Sequence, residues 1–142
     1  VASANKWNIS ISIFKSMVRE NFQEIVGTKE VLFSIKKKGV KLGLLSSHTK
    51  EWINYLKQKF DYERYFDSVL YSFQAGYAKP EIKFYEDILI KLDVHAENCL
   101  YIDDKEKFLA PAKHLGMKTI LFKSPAQLEK DVQAYFIDKK VF

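Results

Sequence analysis

The chain has 142 residues, one domain's worth, and a chain of that size buries about 68–70% of the surface its unfolded form exposes. Hydrophobic residues make up 47% and charged residues 29%, with only 5 Gly and 3 Pro, which excludes a collagen-like, low-complexity or disordered chain. The formal net charge of +5 falls short of a nucleic-acid footprint unless it clusters, and it suits an anionic small substrate.

Cys99 is the lone cysteine, so there is no disulfide framework and no cysteine-based zinc site, and a reducing, cytoplasmic setting is expected. No apolar run approaches the length of about 18 that a membrane span needs. Val1–Lys6 has neither the basic nor the apolar region of a signal peptide. The sequence opens without Met, and processing or further upstream residues are expected.

In chain order, Ile13, Phe14, Met17, Val18, Phe22 and Ile25 recur at helical spacing, with Gly27 as a stop. Ile9, Ile11 and Ile13 also alternate like a strand, so both readings of the opening residues stand. Thr28 can cap a helix carrying Val31, Leu32 and Ile35, stopped by Gly39. Residues 40–45 read as a short buried strand ending at Ser46-Ser47, followed by a helix with Trp52, Ile53, Leu56 and Phe60 on one stripe. Residues 68–71 form the next strand, and the loop 74–80 leads into a helix bearing Ile82, Tyr85, Leu89 and Leu92, with Pro80 in its first turn. Residues 99–102 read as a third strand ending at Asp103-Asp104. A helix with Phe108, Leu109, Ala112 and Leu115 closes at Gly116. Residues 118–122 are a fourth strand, and Leu128, Val132, Tyr135 and Phe136 mark a last helix.

This strand–helix alternation predicts an α/β fold, a parallel sheet with helices on both faces. Right-handed crossovers gather the strand ends on one edge, where such sheets bind ligands. Ser46-Ser47, Lys79 and Asp103-Asp104 fall there. The paired carboxylates suit Mg²⁺, which takes oxygen ligands, usually one or two carboxylates plus water and phosphate; the alternative is a loop turn with Asp104 capping the next helix. Lys79 can meet a phosphate as a point charge, although any exposed lysine looks the same in sequence. Ser46 and Ser47 offer hydroxyls at a helix N-terminus, an anion site, or a plain cap shared with Thr49. Lys36-Lys37-Lys38 reads as a solvated helix end. The aromatic residues do not interleave with basic ones, so no base-stacking platform is expected.

Taken in order, Leu44-Leu45-Ser46-Ser47, Gly76-Tyr77-Ala78-Lys79-Pro80, Tyr101-Ile102-Asp103-Asp104 and Ala112–Met117 resemble the haloacid dehalogenase-like (HAD) hydrolase superfamily, over about residues 28–122. The resemblance implies a Rossmann-like core over residues 28–142, incomplete, preceded by the end of a helical cap over residues 1–27. It implies that Ser46 binds a phosphoryl oxygen and that Ser47 joins it in substrate binding, at a position where many members have Asn. Lys79 would offset charge on the phosphate and the nucleophile. Asp104 would ligate Mg²⁺ directly and Asp103 through water. The family's nucleophile is an Asp in an Asp-x-Asp motif after a first strand, and it forms an aspartyl-phosphate. The sequence contains no Asp-x-Asp. The strand that precedes the cap in the family would lie centrally, between residues 40–45 and 99–102, so those two strands are expected about 10 Å apart rather than paired.

The expectation is a Mg²⁺-dependent phosphomonoester hydrolase acting on a phosphorylated small molecule, with no nucleic-acid or membrane partner. The nucleophile and central strand would come from a segment outside this chain or from another chain, and residues 1–142 alone would be inactive. The rival is an inactive HAD-like fragment serving as an interaction module. A response-regulator receiver also uses Asp-Asp, Ser/Thr and Lys, but its acidic pair ends the first strand and its Lys comes last, unlike the order here.

Overall fold

The computed structural model describes residues 23–139. The cap assignment and the ambiguous opening segment fall almost wholly on residues 1–22, outside the described residues. The elements run α1 (Thr28–Lys36), β1 (Gly43–Ser46), α2 (Lys50–Phe60), a 3-10 turn (Glu63–Tyr65), β2 (Ser68–Tyr71), α3 (Ser72–Ala75) and α4 (Ile82–Leu92). A second 3-10 turn (Ala96–Asn98), β3 (Leu100–Asp103), α5 (Glu106–His114), β4 (Lys118–Leu121) and α6 (Pro125–Asp138) complete them.

The α/β class and the parallel strands are as expected. β1 pairs with β2 from Gly43↔Ser68 to Ser46↔Tyr71, and β3 pairs with β4 from Leu100↔Lys118 to Asp103↔Leu121. Both ladders are parallel. Among the described residues they form two separate two-stranded sheets, so β1 and β3 do not pair directly.

Two cores hold the layers together. Leu70, Phe84, Tyr85, Ile88, Ala112 and Met117 form one, with Leu45 and Tyr101 against it. Val31, Ile35, Leu128, Val132 and Phe136 form the other, with Leu42, Leu100, Ile102 and Ile120 against it. Adjacent residues of β3 thus face opposite cores, as the pleat requires. Each core takes side chains from both ladders or their flanks, so apolar packing spans the two sheets where main-chain bonds do not.

Several boundaries depart from the sequence reading. β1 begins at Gly43 because the backbone of Leu42 is engaged elsewhere: its N–H donates to Asp67 Oδ2 at 2.7 Å, and its carbonyl accepts from the Asp67 N–H at 2.7 Å. Gly43 is also where α4 comes closest, since a Cβ there would lie 2.6 Å from Leu92 Cδ1. Gly27, at φ 97°, is the N-cap of α1 in place of Thr28. Thr28 becomes the first helical residue, and its Oγ1 is buried without a hydrogen-bond partner. Pro80 lies ahead of α4, whose N-cap is Glu81, because the Glu81 side chain folds back to accept the Ala78 N–H at 3.0 Å. At α6 the Ser124/Gln127 capping box closes the N-terminus reciprocally, with Pro125 in the first turn.

Phe84 is fully buried at the centre of the first core. Phe84→Ala is expected to destabilise the protein by about 3–5 kcal/mol through lost transfer energy and a residual cavity, read as a lower midpoint in denaturant unfolding.

Candidate active site

Lys79 joins the loop between β2 and α4 to the ends of two strands. Its ammonium lies 2.7 Å from Asp103 Oδ2, with the lysine side chain 14% exposed and the aspartate side chain 5%. Its backbone N–H donates to Ser47 Oγ at 3.1 Å. Ser47 is available for this because Thr49 caps α2, its side chain accepting the Trp52 N–H. The ammonium of Lys79 also lies over the Phe108 ring, 4.8 Å from Nζ to its centroid, a favourable cation–π placement.

Asp103, the last residue of β3, is held on every side. Oδ2 accepts from Lys79 and from the Tyr101 hydroxyl at 3.1 Å. Oδ1 accepts the Lys105 N–H at 3.0 Å. Burial alone would push the Asp103 carboxyl up; the Lys79 ammonium, the Lys105 N–H and the Tyr101 hydroxyl together outweigh it and hold the group below its ordinary value. Tyr101 shifts the other way: burial, then the Asp103 charge, raises its phenol and keeps it a donor. Tyr101 packs on Tyr85, ring centroids 5.1 Å apart, and Tyr85 donates to the Phe108 carbonyl at 2.8 Å. The residues around the pair are thereby tied to the first core.

Of the residues singled out in the sequence, the structure links Ser47, Lys79 and Asp103 directly. Ser46 is the last residue of β1, opposite Tyr71, and is half-buried. Asp104 follows Asp103 and is exposed. Among the described residues no side-chain hydrogen bond or ion pair joins Ser46 or Asp104 to the Lys79 cluster. Asp104 does not cap α5, whose N-cap is Lys105. Tyr101 and Phe108 were read in the sequence only as strand and core residues. The period-two rule carried a signal for Tyr101, because residues two apart on a strand share a face. Phe108 has no comparable signal, since its link to Lys79 is made only by the fold.

The donor chemistry fits a hard divalent cation in part. Asp103 and Asp104 supply adjacent carboxylates, but both Asp103 oxygens already accept protein hydrogen bonds, leaving Asp104 the one open to solvent. Among the described residues no three His, Cys, Asp or Glu side chains gather as a complete ligand set.

A second polar cluster stands beside the site. Tyr71 donates to Glu63 Oε1 at 2.6 Å, Tyr62 and Tyr71 hydroxyls lie 2.8 Å apart, and Lys57 meets Glu63 Oε2 at 3.0 Å. Burial would raise Glu63, but the Tyr71 hydroxyl and the Lys57 ammonium hold it below its ordinary value. His48, after Ser47, is held below the ordinary imidazole value by burial and then by the positive Lys79 and Lys105.

The sequence profile of the haloacid dehalogenase-like hydrolase family matches residues 2–122. The chain belongs to that family. It is 31% identical over 96 residues to the glyceraldehyde 3-phosphate phosphatase of Methanocaldococcus jannaschii, covering 66% of this chain and 41% of that protein. It is 25% identical over 126 residues to hexitol phosphatase B of Escherichia coli K12, covering 89% and 56%. The chain spans about half the length of the curated relatives it matches. Among solved structures, a HAD phosphatase from Thermococcus onnurineus is similar with a TM-score of 0.74 at 19% identity, over 91% of this chain and 68% of that one. A HAD family enzyme from Bacteroides thetaiotaomicron, in complex with magnesium and inorganic phosphate, gives a TM-score of 0.63 at 24% identity, over 68% and 51%. These likenesses establish a HAD-like fold.

Two outcomes follow from this geometry. Lys79→Met strands a buried carboxylate and is expected to cost about 3–5 kcal/mol; adding Asp103→Asn should recover part of that loss, read by denaturant unfolding of the single and double variants. For Glu63, whose folded pKa lies below its ordinary 4.5, the stabilising contribution is fully present above that value and is lost as pH falls through the folded pKa. The stability gap between wild type and Glu63→Gln should therefore close as pH falls below the ordinary carboxylate range, measured by thermal melting across pH.

Proposed function

We propose that this chain forms most of the catalytic core of a Mg²⁺-dependent phosphomonoesterase for small phosphorylated sugars, acting through an aspartyl-phosphate whose Asp nucleophile lies on a segment outside these residues. The observation that carries the reading is the bridge through Lys79: one lysine, from the loop before α4, is tied at its backbone to the end of β1 and at its ammonium to the end of β3. One phosphoryl group at that edge would meet groups from all three connections.

The separate ladders support a strand from elsewhere between β1 and β3, and the curated relatives named as phosphatases of glyceraldehyde 3-phosphate and hexitols support the substrate class. In this reading Ser46 donates its hydroxyl to a phosphoryl oxygen at the end of β1, and Ser47 fixes the Lys79 backbone. Lys79 shares its charge between Asp103 and the incoming phosphate, the electrostatic stabilisation that phosphoryl transfer needs. When bound, Mg²⁺ supplies Lewis-acid neutralisation of the phosphoryl oxygens. Asp104, exposed and uncommitted to the Lys79 cluster, would hold it directly. Asp103, with both oxygens engaged, would act through water.

A second reading, an inactive interaction module, is favoured by the lack of Asp-x-Asp in the sequence. The test is made on the complete protein with a nucleophile-bearing segment. Asp104→Asn should lower Mg²⁺-dependent hydrolysis of p-nitrophenyl phosphate and of a hexitol phosphate by about 10²-fold or more. A wild-type protein that turns over neither ester favours the module. Asp104→Asn at near wild-type rates, with Asp103→Asn inactive, reverses the roles within the acidic pair.

A further inference from the structure

Beside the Lys79 bridge, an open groove of about 410 Å³ is lined by Ser47, His48, Trp52, Ser72 and Phe73, among others. Its volume lies in the range of small-ligand sites, about 300–1,000 Å³. Nothing in the phosphoryl chemistry above uses it, yet it shares Ser47 with that site and has Ala78, the residue before Lys79, in its lining.

Its walls are of two kinds. One is aromatic and fixed. Phe73 is 38% exposed, but its ring is stacked on Tyr71, centroids 5.5 Å apart and planes 11° from parallel. Tyr71 is itself buried and anchored through its hydroxyl to Glu63 and Tyr62. A half-exposed phenyl ring on a rigid backing loses little freedom when a ligand covers it. The other wall is hydroxylic. Ser72 Oγ donates to the His48 carbonyl at 3.3 Å, which pins the loop after β1 and leaves the oxygen's acceptor capacity for a ligand. Ser47 Oγ likewise accepts one bond, from Lys79, and keeps its own proton to donate.

We infer that this groove binds the polyhydroxylated carbon chain of the substrate, with a C–H face of a sugar or polyol on Phe73 and its hydroxyls toward Ser47 and Ser72, while the phosphate lies at Lys79. The inference rests on the phosphatase reading for the position of the phosphate and adds to it the site that selects the rest of the molecule. A ring-and-hydroxyl lining suits a ligand that is apolar on one face and hydroxylated at its edges. Flat aromatic substrates would use the ring wall and leave the hydroxyls unpaired, which costs affinity.

The experiment uses the complete protein and its Phe73→Ala and Phe73→Leu variants, each first shown to melt near wild type. Calorimetric titrations are run with a hexitol 6-phosphate, 1-naphthyl phosphate and inorganic phosphate, alongside hydrolysis of the hexitol ester. Phe73→Ala should weaken hexitol 6-phosphate binding about tenfold, equivalent to about 1.4 kcal/mol. It should raise KM more than it lowers kcat and leave inorganic phosphate binding unchanged. Phe73→Leu, which keeps bulk but not a flat ring, should fall between. Unchanged hexitol phosphate affinity in both variants overturns the inference. So does an equal loss of inorganic phosphate binding, which would place the effect at the phosphate position. A loss confined to 1-naphthyl phosphate, which has a flat ring and no hydroxyls, assigns the groove to a flat ring and overturns the sugar class. Should the wild type hydrolyse none of these esters yet bind the hexitol phosphate in a Phe73-dependent way, the groove stands and the phosphatase reading falls.

Discussion

The buried pair of Lys79 and Asp103 constrains the whole site. Removing two charges from water is costly, and their attraction offsets that cost only with good geometry and with the remaining lone pairs satisfied. Here the conditions are met by a specific set of neighbours. Tyr101 and the Lys105 N–H take two more of the aspartate's lone pairs, and Phe108 gives the ammonium a π face. Each neighbour is then fixed in turn: Tyr101 by Tyr85, Phe108 by the hydrogen bond from Tyr85 to its carbonyl. Tyr85 is a core residue with no exposed surface. The charge arrangement at the sheet edge is therefore set by packing well inside the domain, and the lysine cannot move without disturbing it.

Such a pair is poor evidence of stability and better evidence of specificity. An apolar pair of the same volume would pack there at lower cost. What the charges add is an electropositive group at the strand ends whose position is fixed before any ligand arrives. Preorganised charge is the form of electrostatic assistance that costs no rearrangement during reaction.

The four strands and the helices between them were legible because short apolar runs alternate with amphipathic stretches, and the family resemblance followed from polar residues at the strand ends. The boundaries were less so. β1 starts later than the apolar run suggests because the Leu42 backbone is claimed by Asp67, a residue distant in sequence. Pro80 precedes the helix it was expected to open because the Glu81 side chain turns back onto the loop. The residues that touch Lys79 were half visible. Ser47 and Asp103 stood out at strand ends, whereas Phe108 depends on which helix lies over which strand. Sequence spacing does not encode that distance.

The two ladders also bear on how the chain acquires its structure. Each joins consecutive strands, β1 to β2 and β3 to β4, so each is closed by a connection of moderate length within one strand–helix–strand stretch. Loop-closure entropy is modest for such units, and they can form independently of one another. Joining them requires the two apolar cores: in the first, Leu70 and Phe84 meet Ala112 and Met117, and in the second, residues from opposite ends of the described chain, Val31 and Ile35, meet Val132 and Phe136. The docking of α1 on α6 is the packing of greatest sequence separation, where loop-closure entropy is largest. It brings together residues near the two ends of the described chain, and both cores couple the halves.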